Sequence, residues 1–196
     1  RAKVEIEARP QLGVFLNLEG HPSNRPTTYA ERAVSFADPR APGLGVRSIG
    51  AIAEMPANLP GARAYHEERF RLGVPEGRDF GTEKIFALDA GLDELNGVSF
   101  TKGCYVGQEL TSRMKHRATA RKRILGVTGQ TALPATGTPI RRGGTEIGEM
   151  LSSTGMHGFA LVRLDRLEES SGDMVAGEIS VALMKPAWLA GASGSA

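Results

Sequence analysis

Lys102-Gly103-Cys104-Tyr105-Val106-Gly107-Gln108-Glu109 holds the single cysteine of a 196-residue chain, set between two glycines. A lone cysteine is more often a small buried hydrophobe than a nucleophile or ligand. Here Gly103 and Gly107 leave the backbone bare on both sides, and Lys102, Arg113 and Lys115 lie close in sequence. A thiol at a helix start near cations has the setting of a reactive cysteine. Bare N–H groups at that helix start also suit an anion such as a carboxylate or phosphate. The bland reading of the two glycines is tight turning and close packing. Tyr105 is either core or a ring that stacks on a flat heterocycle. Gln108 and Glu109 belong at a first helical turn on either reading.

Working outward, Val106, Leu110 and Met114 recur at four-residue spacing, which predicts one apolar face of a helix over 105–117. Arg113, Lys115, Arg117, Arg121, Lys122 and Arg123 put six cations into eleven residues, with His116 beside them. Such a run is usually a solvated helix face. Placed directly after the candidate site, it can also attract a polyanionic ligand tail or RNA. Upstream, Asp89 stands among apolar residues in Phe86-Ala87-Leu88-Asp89-Ala90-Gly91-Leu92. It is either a helix cap or a buried carboxylate that must find donors. A heterocycle with an amino group and a ring N–H, such as a pterin, offers two parallel donors.

Before the motif the pattern predicts strands at 3–7, 12–18, 33–36 and 46–52, with a loop over 21–28. A helix over 62–72 follows, stopped by Gly73 and Pro75. A short helical piece is expected at 92–95 and a turn at Asn96-Gly97. Beyond Arg123 the period changes. Residues 124–128, 138–141, 145–151, 159–164 and 179–183 are short runs separated by Gly, Pro and Ser, as in a small β-barrel or sandwich. The expected class is α+β: an α+β region over 1–119, a C-terminal β-barrel over 120–189 and a flexible tail over 190–196. Because it opens mid-strand at Arg1, the chain reads as the C-terminal part of a longer protein.

Hydrophobic residues make up 40% and charged residues 23%, which is globular rather than disordered. No apolar run approaches the roughly 20 residues of a membrane span, so no membrane role is expected. The opening residues alternate like a strand rather than forming the apolar core of a signal peptide. A single cysteine points to a reducing compartment, read here as the cytoplasm. The net charge of +2 does not by itself argue for nucleic acid. P-loop, Rossmann glycine fingerprint, zinc-type Cys/His spacing and Gly-x-Ser-x-Gly motifs are all absent from the sequence. Histidines at 21, 66, 116 and 157 do not make a metal site by spacing.

Asn96-Gly97-Val98-Ser99-Phe100-Thr101 followed by Lys102–Glu109 closely resembles the signature of the YgfZ family. These are folate-binding relatives of the glycine-cleavage T-protein (aminomethyltransferase), and they include mitochondrial iron–sulfur assembly factors. Gly73–Gly77, Leu110–Arg113 and Arg121–Arg123 look like that family as well. The resemblance implies the C-terminal portion of a T-protein-like fold around a central channel, followed by the β-barrel, with tetrahydrofolate as cofactor. It also implies a role in maturing four-iron proteins and, through them, in tRNA thiolation. Lys102, Gly103, Cys104, Tyr105, Gly107, Gln108 and Glu109 match the motif. Asp89 stands where relatives usually carry glutamate after a Pro-x pair, here Ala87-Leu88.

Three readings follow. In the first, a folate-dependent assembly factor, Cys104 is the reactive group and faces an iron–sulfur client or assembly protein. Asp89 holds the pterin, and Lys102, Gly103, Tyr105, Gly107, Gln108, Glu109 and Arg113 complete the cofactor site. The second is a one-carbon transferase using the same folate. The third is a tRNA-binding module driven by residues 113–123.

Overall fold

The computed structural model describes residues 7–17, 33–54, 62–81, 84–116 and 121–190. The chain divides into two compact units, residues 1–65 and 66–196. Most of the strand expected over 3–7, the loop over 21–28, Arg117 and the tail beyond 190 lie outside the described residues.

In the first unit, β1 (Leu12–Asn17), β2 (Val34–Ala37) and β3 (Val46–Ala51) form an antiparallel sheet in the order β1-β3-β2. Strand alternation separates the faces. Phe15 and Ser48, paired across β1 and β3, are buried, whereas Val14, Ile49 and Val34 form an exposed row across the other face. At the end of β2, the buried Asp38 accepts hydrogen bonds from Arg40 Nε (3.0 Å) and Arg47 Nε (2.5 Å). Both guanidinium groups also donate to the Tyr65 hydroxyl, at 2.9 and 3.0 Å.

The second unit is built on a barrel. β4 (Lys122–Gly129), β5 (Pro139–Arg142), β6 (Thr145–Thr154), β7 (His157–Arg163), β8 (Met174–Ala176) and β9 (Ile179–Met184) close in the order β4-β7-β6-β5-β8-β9. The expected run of short strands past Arg123 is therefore a closed barrel rather than a sandwich. Its interior holds Leu125, Val127, Ile140, Ile147, Met150 and Val162. The β5–β6 hairpin turns on Gly143 and Gly144, with φ of 53° and 85°, as a tight turn matching strand twist requires. Strand β8 and a short helix over Leu164–Glu169 were not anticipated. Three residues bounded by Gly172 and Gly177 are too short to show alternation.

The outer face of β4 and β7 is covered too. Phe70, Ala90, Ile124, Phe159 and Leu161 form a second buried cluster between the barrel, the helix α1 (Ala62–Leu72) and the turn near residue 90. Helix α1 has the expected bounds and ends at Gly73, whose φ is +71°. Its final turn is capped from afar, because Trp188 Nε1 donates to Leu72 O at 3.1 Å. On the same helix, Arg69 is fully buried and grips Asp79 with both terminal nitrogens. Ser152 Oγ on β6 donates to the same carboxylate at 2.6 Å. One ion pair thus ties α1, the short helix α2 (Gly77–Phe80) and the barrel together.

The helical piece expected at 92–95 is instead part of a succession of turns from 87 to 96. Gly91 (φ 70°) and Asn96 (φ 60°) interrupt any helical run, although Leu95 N–H still reaches Gly91 O at 2.9 Å.

Two stability outcomes follow. Arg69→Ala leaves the Asp79 carboxylate buried and uncompensated, so urea unfolding at pH 7 should show a loss on the order of 3–5 kcal/mol. A loss below about 1 kcal/mol would show that the ion pair is not a structural tie. Burial pushes the Asp38 carboxyl up, but hydrogen bonds from Arg40 and Arg47 outweigh it and bring its pKa from 3.8 down to about 2. A depressed folded pKa gives stability that is present above pH 4 and lost as pH falls toward 2. The stability gap between wild type and Asp38→Asn should shrink by about 1–2 kcal/mol between pH 5 and pH 2; a pH-independent gap would refute this.

Candidate functional site

The segment from Ser99 to Gly107 is irregular and leads into helix α3 (Gln108–His116). The helix starts three residues later than its period predicts because Gly107 adopts φ +86°, which a side chain resists. Tyr105 and Gln108 then close the start reciprocally. Tyr105 N–H donates to Gln108 Oε1 at 3.1 Å, and Gln108 N–H donates to Tyr105 O at 3.2 Å. Gln108 is accordingly a capping residue as well as a motif residue. Gly103 has open space where a Cβ would stand, so close packing does not explain it.

Cys104 is exposed and free. It lines a cleft of about 540 Å³ with Lys102, Gly103, Tyr105, Gln108, Glu109 and Arg113, together with Ser99, Phe100, Ser112 and His116. The expected site residues of the octet and Arg113 thus meet around one hollow, apart from Gly107. Lys102 Nζ lies 4.8 Å from the Tyr105 ring centre, a cation–π contact. Ser112 and His116 belong to the same helix face as Glu109, at three- and four-residue steps, the signal that could have found them.

The expected apolar face of α3 does not become a buried one. Val106 lies before the helix and is fully exposed, Leu110 is exposed, and none of α3 is buried. The spacing suits a helix, but of that face only Met114 is half-buried, beside a cavity that Asp89 also lines.

Asp89 is not on the Cys104 cleft. It lines a second cavity of about 210 Å³ with Lys84, Ile85, Phe86, Met114, Arg121, Lys122 and Leu161. Helix α3 separates the two spaces, giving Met114 to one and Ser112, Arg113 and His116 to the other. The turn carrying Asp89 is fixed from the barrel: Ile124 N–H donates to Asp89 O at 2.9 Å, and Arg123 donates to Leu88 O. The Asp89 side chain is buried and makes no hydrogen bond among the described residues. Burial pushes its pKa above the usual 3.8, opposed by the charges of Arg123 and Lys122.

An acidic pair that the sequence reading overlooked sits beside this turn. Glu94 accepts from Arg123 at 2.9 and 3.2 Å, and Asp93 accepts from Lys115 Nζ at 2.7 Å. Burial and the hydrogen bond to Asp93 push Glu94 upward. Burial also pushes Asp93 up, but the hydrogen bonds from Glu94 and Lys115 outweigh it and leave Asp93 lowered. Asp93 Oδ1 is buried and has no hydrogen-bond partner among the described residues. Of the basic run, Arg113 pairs with Glu109, Lys115 with Asp93 and Arg123 with Glu94. These three cations are committed inside the chain, which leaves them less free for RNA.

The human "Iron-sulfur cluster assembly factor IBA57, mitochondrial" is 36% identical over 184 residues, covering 86% of this chain. The chain is similar to IBA57. The mouse IBA57 is 33% identical over the same length, and a homologue from Coccidioides immitis is 30% identical over 211 residues. The CAF17 C-terminal beta-barrel domain matches residues 121–191, the stretch that holds the six-stranded barrel. The chain spans about half the length of the IBA57 relatives, 51% of the human protein. These IBA57 relatives are named mitochondrial, which overturns the cytoplasmic expectation. A lone cysteine marks a reducing compartment and does not separate cytoplasm from mitochondrial matrix. Among the described residues, no helix is long and apolar enough to cross a membrane.

Asp89→Asn removes a buried charge that no hydrogen bond answers. Since the folded pKa is raised, ionisation costs stability as pH rises through and above 3.8. At pH 7 the variant should be as stable as wild type or more so, within about 1 kcal/mol. A loss above about 2 kcal/mol in urea unfolding would make Asp89 a structural residue instead.

Proposed function

We propose that this chain serves iron–sulfur protein assembly in mitochondria, as the C-terminal, folate-binding part of a T-protein-like fold of the YgfZ type. The observation that carries the reading is the exposed Cys104 thiol on the wall of the octet's cleft. The named role of the IBA57 relatives supports it. Among the described residues no three His, Cys, Asp or Glu side chains are grouped to hold a metal ion. Cys104 would therefore offer one thiolate to a cluster, sulfide or thiol whose other ligands come from a client or assembly protein. Service to four-iron enzymes extends the role to tRNA thiolation.

The Asp89 cavity is the proposed seat of the pterin ring of tetrahydrofolate. Its carboxylate is turned to a space of about 210 Å³ and lacks a donor among the described residues. That volume is below the ~300–1,000 Å³ of a drug-sized ligand pocket and suits one ring system. Lys84, Arg121 and Lys122 around it would favour the anionic glutamate tail. Aminomethyl transfer remains the second reading, favoured by the same carboxylate and not by the thiol, since proton transfer to an amine needs no sulfur.

Tetrahydrofolate titrated calorimetrically into the full chain should bind saturably in the micromolar range, and Asp89→Asn should weaken it at least about tenfold, the size of one charge-assisted hydrogen bond. Cys104→Ala should leave that affinity within about twofold yet impair maturation of a four-iron enzyme in complemented cells. The reverse pattern, affinity lost and maturation kept, would reject this division of labour.

A further inference from the structure

Helix α3 contributes to the lining of both cavities, and a row of charged side chains ties it to the turn that carries Asp89. From the barrel, Arg123 holds the turn that carries Asp89, through Leu88 O and the Glu94 carboxylate. Asp93, the next residue, takes Lys115 of α3 at 2.7 Å. Lys115 Nζ also lies 5.7 Å from the ring centre of Phe100, which lines the Cys104 cleft. Helix α3 itself buries none of its residues and begins at the glycine with φ +86°. Among its described ties to the rest of the chain is the Lys115–Asp93 pair, whose carboxylate is almost fully buried.

That pair resists separation. The Asp93 side chain is nearly sealed from solvent, and its Oδ1 has no hydrogen-bond partner among the described residues. Losing Lys115 would leave a buried carboxylate unpaired, the costly way to break an ion pair. A shift of the turn at 87–95 is thus passed to Lys115, and with it to α3, rather than absorbed between them. On the other side, a ligand beside Asp89 would press on Met114 of α3 and on Lys122, the neighbour of Arg123. Each end of the row is thus the chain neighbour of a residue that lines the Asp89 cavity.

We propose that the Arg123–Glu94–Asp93–Lys115 chain couples the two spaces, so that a ligand seated beside Asp89 steadies α3 and slows reaction at the Cys104 thiol. This rests on the reading of the Asp89 cavity as a folate seat. Occupancy of one space is then sensed at the other without any contact between ligand and sulfur.

Because Cys104 is the chain's single cysteine, a thiol-reactive chromogenic disulfide reports on it alone. The test uses the full chain with 5-formyltetrahydrofolate as the probe, its binding followed in parallel by calorimetry. Saturating probe should slow modification by about fivefold or more, the lower range of allosteric couplings. In Lys115→Met the slowing should fall below about twofold while probe affinity stays within about threefold of wild type. Asp93→Asn should behave alike and serves if Lys115→Met does not show a cooperative thermal transition. Probe binding with an unchanged rate overturns the coupling and leaves the folate reading standing. Slowing that persists undiminished in both variants means the probe covers the sulfur directly, and also overturns it. Failure of the probe to bind wild type removes both proposals together.

Discussion

Strand β7 is buried on both faces, and most of the second unit follows from that constraint. Ala160 and Val162 point into the barrel, while Phe159 and Leu161 pack outward beneath α1 and the turn near residue 90. Its neighbour β4 does the same with Leu125 and Val127 inside and Ile124 outside. Nonpolar surface removed from water contributes roughly 25 cal/mol per Å², and here two adjacent strands collect it on both sides. The Asp89 turn is thereby laid on a wall that cannot move without opening the barrel. Polar contacts then refine the placement: Ile124 N–H and Arg123 fix the turn from the strand beneath it.

The buried aspartates show which parts of the molecule are finished and which are open. Asp38 is answered by Arg40 and Arg47, and Asp79 by Arg69 and Ser152. Those carboxylates hold secondary structure together and leave no capacity for a ligand. Asp89 is buried as they are but is answered only by nearby charge, not by a described hydrogen bond. Burying a carboxylate without donors is expensive, so the site's stability and its capacity to bind draw on the same group. The Cys104 cleft differs in kind: it is wider, solvent-facing and lined by paired or stacked charges, as suits contact with another macromolecule.

Much of this was legible in the residues because local rules governed it. Helix α1 came through with both ends correct, since a helical run meets Gly73 and Pro75 at its close. The barrel strands past Arg123 showed through their glycine and serine punctuation. The octet's residues were read together, and apart from Gly107 they line one cleft. What was hidden depended on distance in the chain. That Asp89 and Cys104 face different spaces is decided by where α3 lies, which no spacing states. The partners of Asp93 and Glu94 come from residues 115 and 123, so no local spacing marks the pair. Val106 and Leu110 are exposed although they keep the four-residue spacing with the half-buried Met114, because periodicity describes a face and not what meets it.

Barrel closure also has a temporal side. Strands β5, β6 and β7 neighbour one another through short connections, as do β8 and β9, so their pairing is local. β4 precedes them all in the chain, yet both of its partners, β7 and β9, arrive much later. Long-range pairing costs more chain entropy and is slower to form. Until β7 follows it, β4 has no strand partner, and its stretch Lys122–Leu125 pairs with β7 alone. The Asp89 turn, anchored to that stretch, therefore gains its support with the arrival of β7 rather than with closure by β9.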